Sequence, residues 1–233
     1  MPEWVRIRRP LGEASLQTVA AGVLESPLVA RSTLAGSFRG SRGFAITFTR
    51  PGLAALEQRY PFLVPFLALA ISDRAHLALE PWLRRIRSKG LESVSRPRNA
   101  FYLNVLLVAD GGSIGRHTDA TLRGPSGEVE AVPEQVTVLY LRAPERFSGG
   151  ELRLYRGERR VARIRPVPGR LIHFRGDLQH EVTPMEAPAD GALRASLVLE
   201  QYHLRPDALA RLPELSVQSK AGFAAYLEDR RRE

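Results

Sequence analysis

Two regimes of hydrophobic spacing divide the 233 residues. Up to residue 98 the pattern is mixed and partly helical. Residues 13–25 have the spacing of an amphipathic helix, which Ser26-Pro27 ends. Phe44 to Thr49 alternates apolar and polar and predicts a short strand. Residues 52–60 predict a helix, and residues 62–87 one longer helix or two, with Pro65 and Pro81 as starts or kinks. Gly90 and Pro97 mark the exit from this region.

From Asn99 the pattern becomes that of strands. Eight are predicted: 100–108, 115–118, 135–142, 151–155, 161–165, 170–174, 181–183 and 193–203. The turn signals between them are Asp110-Gly-Gly112, Ser148-Gly-Gly150, Arg156-Gly157, Pro168-Gly169, Arg175-Gly-Asp177 and Asp190-Gly191. Short strands at this spacing predict a double-sheet jelly roll, an α+β and mainly β fold. A C-terminal helix is expected over about residues 219–232. The expected organisation is a supporting helical or mixed region over 1–98, a β core over 99–204 and a helical tail over 205–233.

Composition narrows the chemistry. The chain has no cysteine, so disulfides, thiolate metal sites and a cysteine nucleophile are excluded, and a metal would have to sit on His, Asp or Glu. The first residues lack an apolar leader, and no stretch approaches the roughly 18 apolar residues that span a bilayer. A cytoplasmic protein without membrane contact is the expectation. The net charge is +9, from 34 Lys+Arg against 25 Asp+Glu. The arginines are scattered apart from 84–87 and 230–232, which favours a solvated basic surface over a nucleic-acid footprint.

His117-Thr118-Asp119 places an imidazole and a carboxylate two positions apart. On a strand both project from the same face, so both can reach one ion. His180, just past the turn at 175–177, is the candidate third ligand. Two imidazoles and one carboxylate leave coordination positions open, which suits Fe(II) oxygen chemistry better than structural zinc. His173 has an equal claim by residue type, but it lies inside an apolar strand and reads as a core histidine. On the strand opening at Arg194, alternation puts Arg194, Ser196, Val198, Glu200 and Tyr202 on one face. Arg194 with Ser196 would make a carboxylate anchor.

Six blocks in order over residues 100–203 resemble one family: His117-Thr-Asp119, Val138-Leu-Tyr-Leu141, Ser148 to Tyr155, Gly169 to Phe174, His180-Glu-Val-Thr-Pro184 and Arg194-Ala-Ser-Leu197. They look like the prolyl-4-hydroxylase-like branch of the Fe(II)/2-oxoglutarate-dependent dioxygenases. The resemblance implies a double-stranded β-helix core with iron on His117, Asp119 and His180. It implies Fe(II), 2-oxoglutarate and O2 as cofactor and cosubstrates, with ascorbate as a reductant. Arg194 matches the residue that pairs with the distal carboxylate of 2-oxoglutarate, and Tyr140 a tyrosine that hydrogen-bonds it. Leu107 and Val108 stand where many relatives carry a second tyrosine, so Tyr102 or Asn104 would substitute.

For the substrate, Glu200 would meet an ammonium, and Arg116 and Arg123, near the metal motif, a carboxylate. The expectation is therefore hydroxylation of a free amino acid or similar small metabolite by a monomer or homodimer. Two alternatives stand beside it, a peptidyl prolyl hydroxylase and a non-catalytic β-helix binding module. A nucleic-acid demethylase has only the net charge in its favour, because no aromatic stacking cluster accompanies the motifs.

Overall fold

The computed structural model describes residues 3–31, 38–71, 97–124, 127–128, 131–187 and 193–231. In chain order the strands are β1 Trp4–Arg8, β2 Ala30–Arg31, β3 Phe38–Thr49, β4 Ala100–His117, β5 Arg123–Gly124, β6 Gly127–Glu128 and β7 Gln135–Arg142. They continue as β8 Ser148–Gly149, β9 Leu152–Arg156, β10 Arg159–Ile164, β11 Arg170–Arg175, β12 Gln179–Val182, β13 Met185–Glu186, β14 Leu193–Tyr202 and β15 Leu215–Gln218. The helices are α1 Glu13–Leu24, α2 Leu53–Arg59, α3 Val64–Ala70, α4 Pro206–Leu209 and α5 Phe223–Arg230, with a 3-10 turn at Pro61–Leu63. The expected helical positions 72–87 lie outside the described residues.

All pairing is antiparallel. The main sheet runs β1-β11-β7-β14-β4-β12-β9-β10, with β3 on the second edge of the first half of β4. This curled sheet closes as a jelly roll because β4 belongs to both layers. Its first half, Ala100 to Ala109, pairs with β14. Its second half pairs with β12, where His180 stands opposite His117. The two strands expected at 100–108 and 115–118 are thus one. Asp110-Gly-Gly112 does not reverse the chain; Gly111, at φ 70, lets the strand bend and carry on.

Alternation along the strands sorts the side chains into two layers. Leu103, Val105 and Leu107 of β4, Leu139 and Leu141 of β7, and Leu197 and Leu199 of β14 face outward. There they pack against Val19 and Val23 of α1, Leu56 of α2 and Phe66 of α3. The inward set, including Val136, Val138, Tyr140, Leu152, Leu154, Ile172 and Phe174, fills the space between the two layers. Outside the β core the chain also contributes strands that its sequence did not announce, β1 in the supporting region and β15 in the tail. β1 is short and alternates with arginine, and β15 is four half-buried residues. Neither has the apolar run by which a strand is read.

Candidate metal centre

β4, β12 and the turn after β4 bring His117, Asp119 and His180 together, with one donor atom of each within 4.8 Å of the others. The His117 ring meets the His180 ring at 4.3 Å between centroids. The edge of Phe174 closes on His180 at 5.2 Å. Each imidazole has Nδ1 against a backbone carbonyl, His117 at 2.8 Å from Gly115 and His180 at 3.3 Å from Leu178. With Nδ1 donating, Nε2 presents a lone pair, and both Nε2 atoms face Asp119, at 3.3 and 3.5 Å from its oxygens. Three acceptors converging on one point repel one another unless a cation sits between them. Asp119 is almost fully buried. Burial alone would raise its pKa, but the two histidines outweigh it and hold the carboxyl well below the usual range. The same contest pushes His117 up, Asp119 overcoming burial. The residues present therefore fit a divalent metal on a three-ligand face.

A cavity opens from this centre. Asn104, Leu106, Val138, Leu152, Val182, Arg194, Val198 and Glu200 are among the residues that line it, and it holds about 470 Å³ of empty space counting its mouth. Arg194 lies at one end, 2% exposed, its guanidinium 5.1 Å from the Tyr140 ring. Its one hydrogen bond to a described residue is long, 3.4 Å to the Gly150 carbonyl. Arg194 Nε and the Tyr140 hydroxyl are buried without a hydrogen-bond partner among the described residues. Two donors held dry and unspent side by side are what an incoming carboxylate would satisfy.

Glu200 occupies the other end, six residues along β14 and so roughly 20 Å from Arg194. It is 3% exposed, and its Oε2 accepts hydrogen bonds from the Thr121 and Tyr202 hydroxyls. Burial first, and then Asp119, push its pKa well up. Thr121 was not anticipated, because it lies in an unpatterned segment. Its one signal is its place two residues after Asp119.

Several expected residues lie elsewhere. Tyr102 is opposite Glu200 in the β14–β4 register, whereas Arg194 is opposite Val108. Tyr102 therefore cannot share a carboxylate with Arg194, and it packs instead with Leu122 and Tyr202. Asn104 does line the cavity, in its middle. Ser196 is fully buried, and its hydroxyl reaches back 3.5 Å to the Leu106 carbonyl. Arg116 projects from the opposite face to His117, as alternation requires. It pairs with Glu158 at 3.0 Å and stacks over Tyr155, so it does not point into the cavity. Arg123 opens β5, and its side chain lies outside the described structure. His173 lies on the outward face, where its Nδ1 meets Thr137 at 2.9 Å and Gln135 at 3.2 Å.

Comparison with known proteins points the same way. Residues 102–199 match the family model described as the 2OG-Fe(II) oxygenase superfamily. A PKHD-type hydroxylase of Pseudomonas putida is 32% identical over 94 residues, 40% of this chain and 41% of that protein. The chain thus spans less than half the length of this relative. Among solved structures, a Pseudomonas putida prolyl-4-hydroxylase superposes with a TM-score of 0.59 at 21% identity, covering 87% of this chain and 94% of that one. A Trichoplax adhaerens prolyl hydroxylase, solved with a hypoxia-inducible-factor peptide fragment, superposes with a TM-score of 0.52 at 19% identity over 89% and 86%. These likenesses show the jelly-roll fold. Among the described residues no helix is long and apolar enough to cross a membrane.

Proposed function

We propose, from the premise that residues 102–199 belong to the 2OG-Fe(II) oxygenase superfamily, that this protein is an Fe(II)- and 2-oxoglutarate-dependent hydroxylase of a small, amino-acid-like molecule. The convergence of two imidazole Nε2 atoms and one buried carboxylate carries the reading. His117, Asp119 and His180 would hold Fe(II) and leave coordination positions free. Bound there with 2-oxoglutarate and O2, the iron supplies oxidative decarboxylation to succinate and CO2, coupled to oxygen insertion into an unactivated C–H bond.

The rest falls to the chain's own side chains. Arg194 and Tyr140 would hold the far carboxylate of 2-oxoglutarate with Nε and hydroxyl donors that no described residue accepts from. Leu106, Val138, Leu152, Val182 and Val198 keep the cavity apolar, and Phe174 fixes the His180 ring from its edge. The carbonyls of Gly115 and Leu178 hold both imidazoles in the tautomer that ligates a metal. Substrate would then enter from the Glu200 end of the cavity.

A peptidyl prolyl hydroxylase is the second reading, favoured by one observation. The described helices α1 to α3 pack on the outward face of the sheet and leave the mouth uncovered. Succinate release with Fe(II), 2-oxoglutarate and pooled free amino acids, against proline-containing peptides, decides between the two. The small-molecule reading expects release and a product one oxygen heavier from the free pool. Turnover on peptides alone would reject it.

A further inference from the structure

Glu200 is left over when the charges of the cavity are paired. A divalent ion cancels the two charges of 2-oxoglutarate, and Arg194 cancels Asp119. No arginine, lysine or histidine among the described residues forms an ion pair with Glu200. Yet Glu200 is as deeply buried as Asp119 and lines the same cavity. A buried carboxylate without a cation is costly, and a functional site is where such a cost persists.

Its surroundings hold it in place for a partner. The Tyr202 hydroxyl, itself buried, and the Thr121 hydroxyl both donate to Oε2. Two donors on one oxygen fix the plane of the carboxyl group and suit its ionised form, which burial and Asp119 disfavour until a cation comes to lie beside it. Burial and the neighbouring Glu200 push the Tyr202 pKa up, so Tyr202 keeps its proton and stays a donor. Asn104, 6% exposed, is the diagonal cross-strand neighbour of Glu200 and lines the same wall. Its side chain has no hydrogen-bond partner among the described residues. A carboxylate and a carboxamide oxygen side by side are complementary to a group with several N–H donors and a positive charge.

We infer that Glu200, set by Thr121 and Tyr202 and assisted by Asn104, selects substrates that carry a protonated amine. The inference rests on the hydroxylase reading above and narrows its substrate class. A neutral peptide segment would leave Glu200 uncompensated, whereas a primary ammonium gives it a counterion and gives Asn104 a donor.

The test is binding, without turnover. Protein loaded with redox-inert Zn(II) and 2-oxoglutarate is titrated calorimetrically with alkylammonium ions of three to six carbons and with the matching alcohols. Metal and 2-oxoglutarate binding are measured first, so failure of the hydroxylase reading shows itself there. The amine should bind on the order of tenfold tighter than its alcohol, as a charge-assisted hydrogen bond implies. In Glu200→Gln, isosteric and still able to bond Thr121, the preference should fall to within about twofold while metal and 2-oxoglutarate binding hold. Tyr202→Phe should give an intermediate value. An amine preference that survives in Glu200→Gln would mean the amine ligates the metal, and would overturn the proposal. So would the absence of any preference at every chain length, including no binding of either series.

Discussion

Arg194 has almost no protein partner, and this makes it a clean probe of the proposed cosubstrate site. Its one bond to a described residue is the long contact to the Gly150 carbonyl. Arg194→Ala should therefore weaken 2-oxoglutarate binding by about 2–5 kcal/mol, well over tenfold, while metal affinity stays near that of the parent. Equilibrium binding of both ligands to the same preparation checks this, and an unchanged 2-oxoglutarate constant would remove Arg194 from the site. His173 is the second informative residue. Burial foremost, and then Arg98, lower its pKa to about 4. Unfolded, it would titrate near 6.5. Its share of stability is thus fully present above pH 6.5 and is lost as pH falls from there to about 4, an order of 3 kcal/mol. Urea unfolding of metal-free protein should lose stability more steeply over that window in the parent than in His173→Gln. Matching slopes would show that His173 does not stay neutral in the fold. Both residues were legible in sequence: Arg194 opens its strand, and His173 lies inside an apolar one. Arg116 was misread because it adjoins the metal motif, when adjacency on a strand means the opposite face.

At the scale of elements, most strands from residue 135 onward fall within two residues of where alternation places them, as β7, β11 and β14 do. The failures lie where the signal depends on context. Asp110-Gly-Gly112 has the composition of a reversal and is a bend within β4, because β12 and β14 supply pairing on either side of it. Ser148-Gly-Gly150 also has the composition of a reversal, yet Ser148–Gly149 is β8, paired with β13, and its glycines are needed for the close approach. Gly149 has φ 64, and a Cβ there would lie 1.8 Å from the Pro184 carbonyl oxygen. The next residue, Gly150, supplies the carbonyl that Arg194 reaches. Gly149→Ala should destabilise the fold by about 1–3 kcal/mol and also weaken 2-oxoglutarate binding, whereas Gly157→Ala, with open space around it, should leave binding alone. Denaturant midpoints and ligand titration of the two variants separate these effects. Parental stability in Gly149→Ala would show that β8 tolerates a side chain there.

For the whole molecule, the sequence reveals the metal face better than the support beneath it. The proposed ligands, His117, Asp119 and His180, come from a dense local pattern in the β core. The strands that extend the sheet, β1, β3 and β15, come from distant segments, of which only residues 44–49 of β3 are patterned as a strand, and their partners are known only once the chain is folded. Glu200 and Tyr202 lie at the end of β14, just past the segment that matches the family model. The features proposed to set substrate class thus sit where resemblance gives least guidance.

The pairing of β3 along β4 bears on what happens if the chain is shortened. A fragment beginning at residue 99 and ending at 204 would keep every proposed iron ligand. It would also bare the full β4 edge from Ala100 to Val108 and uncover a wall of leucine and valine now shielded by α1 to α3. Such an unpaired, apolar edge recruits further strands from solution. The fragment should sediment as large, dye-binding assemblies at concentrations where the parent remains dispersed. A monodisperse fragment with parental metal affinity would mean that residues 1–98 and 205–233 are dispensable to the fold. Otherwise β3 is what keeps the segment over residues 99–204 from joining to copies of itself.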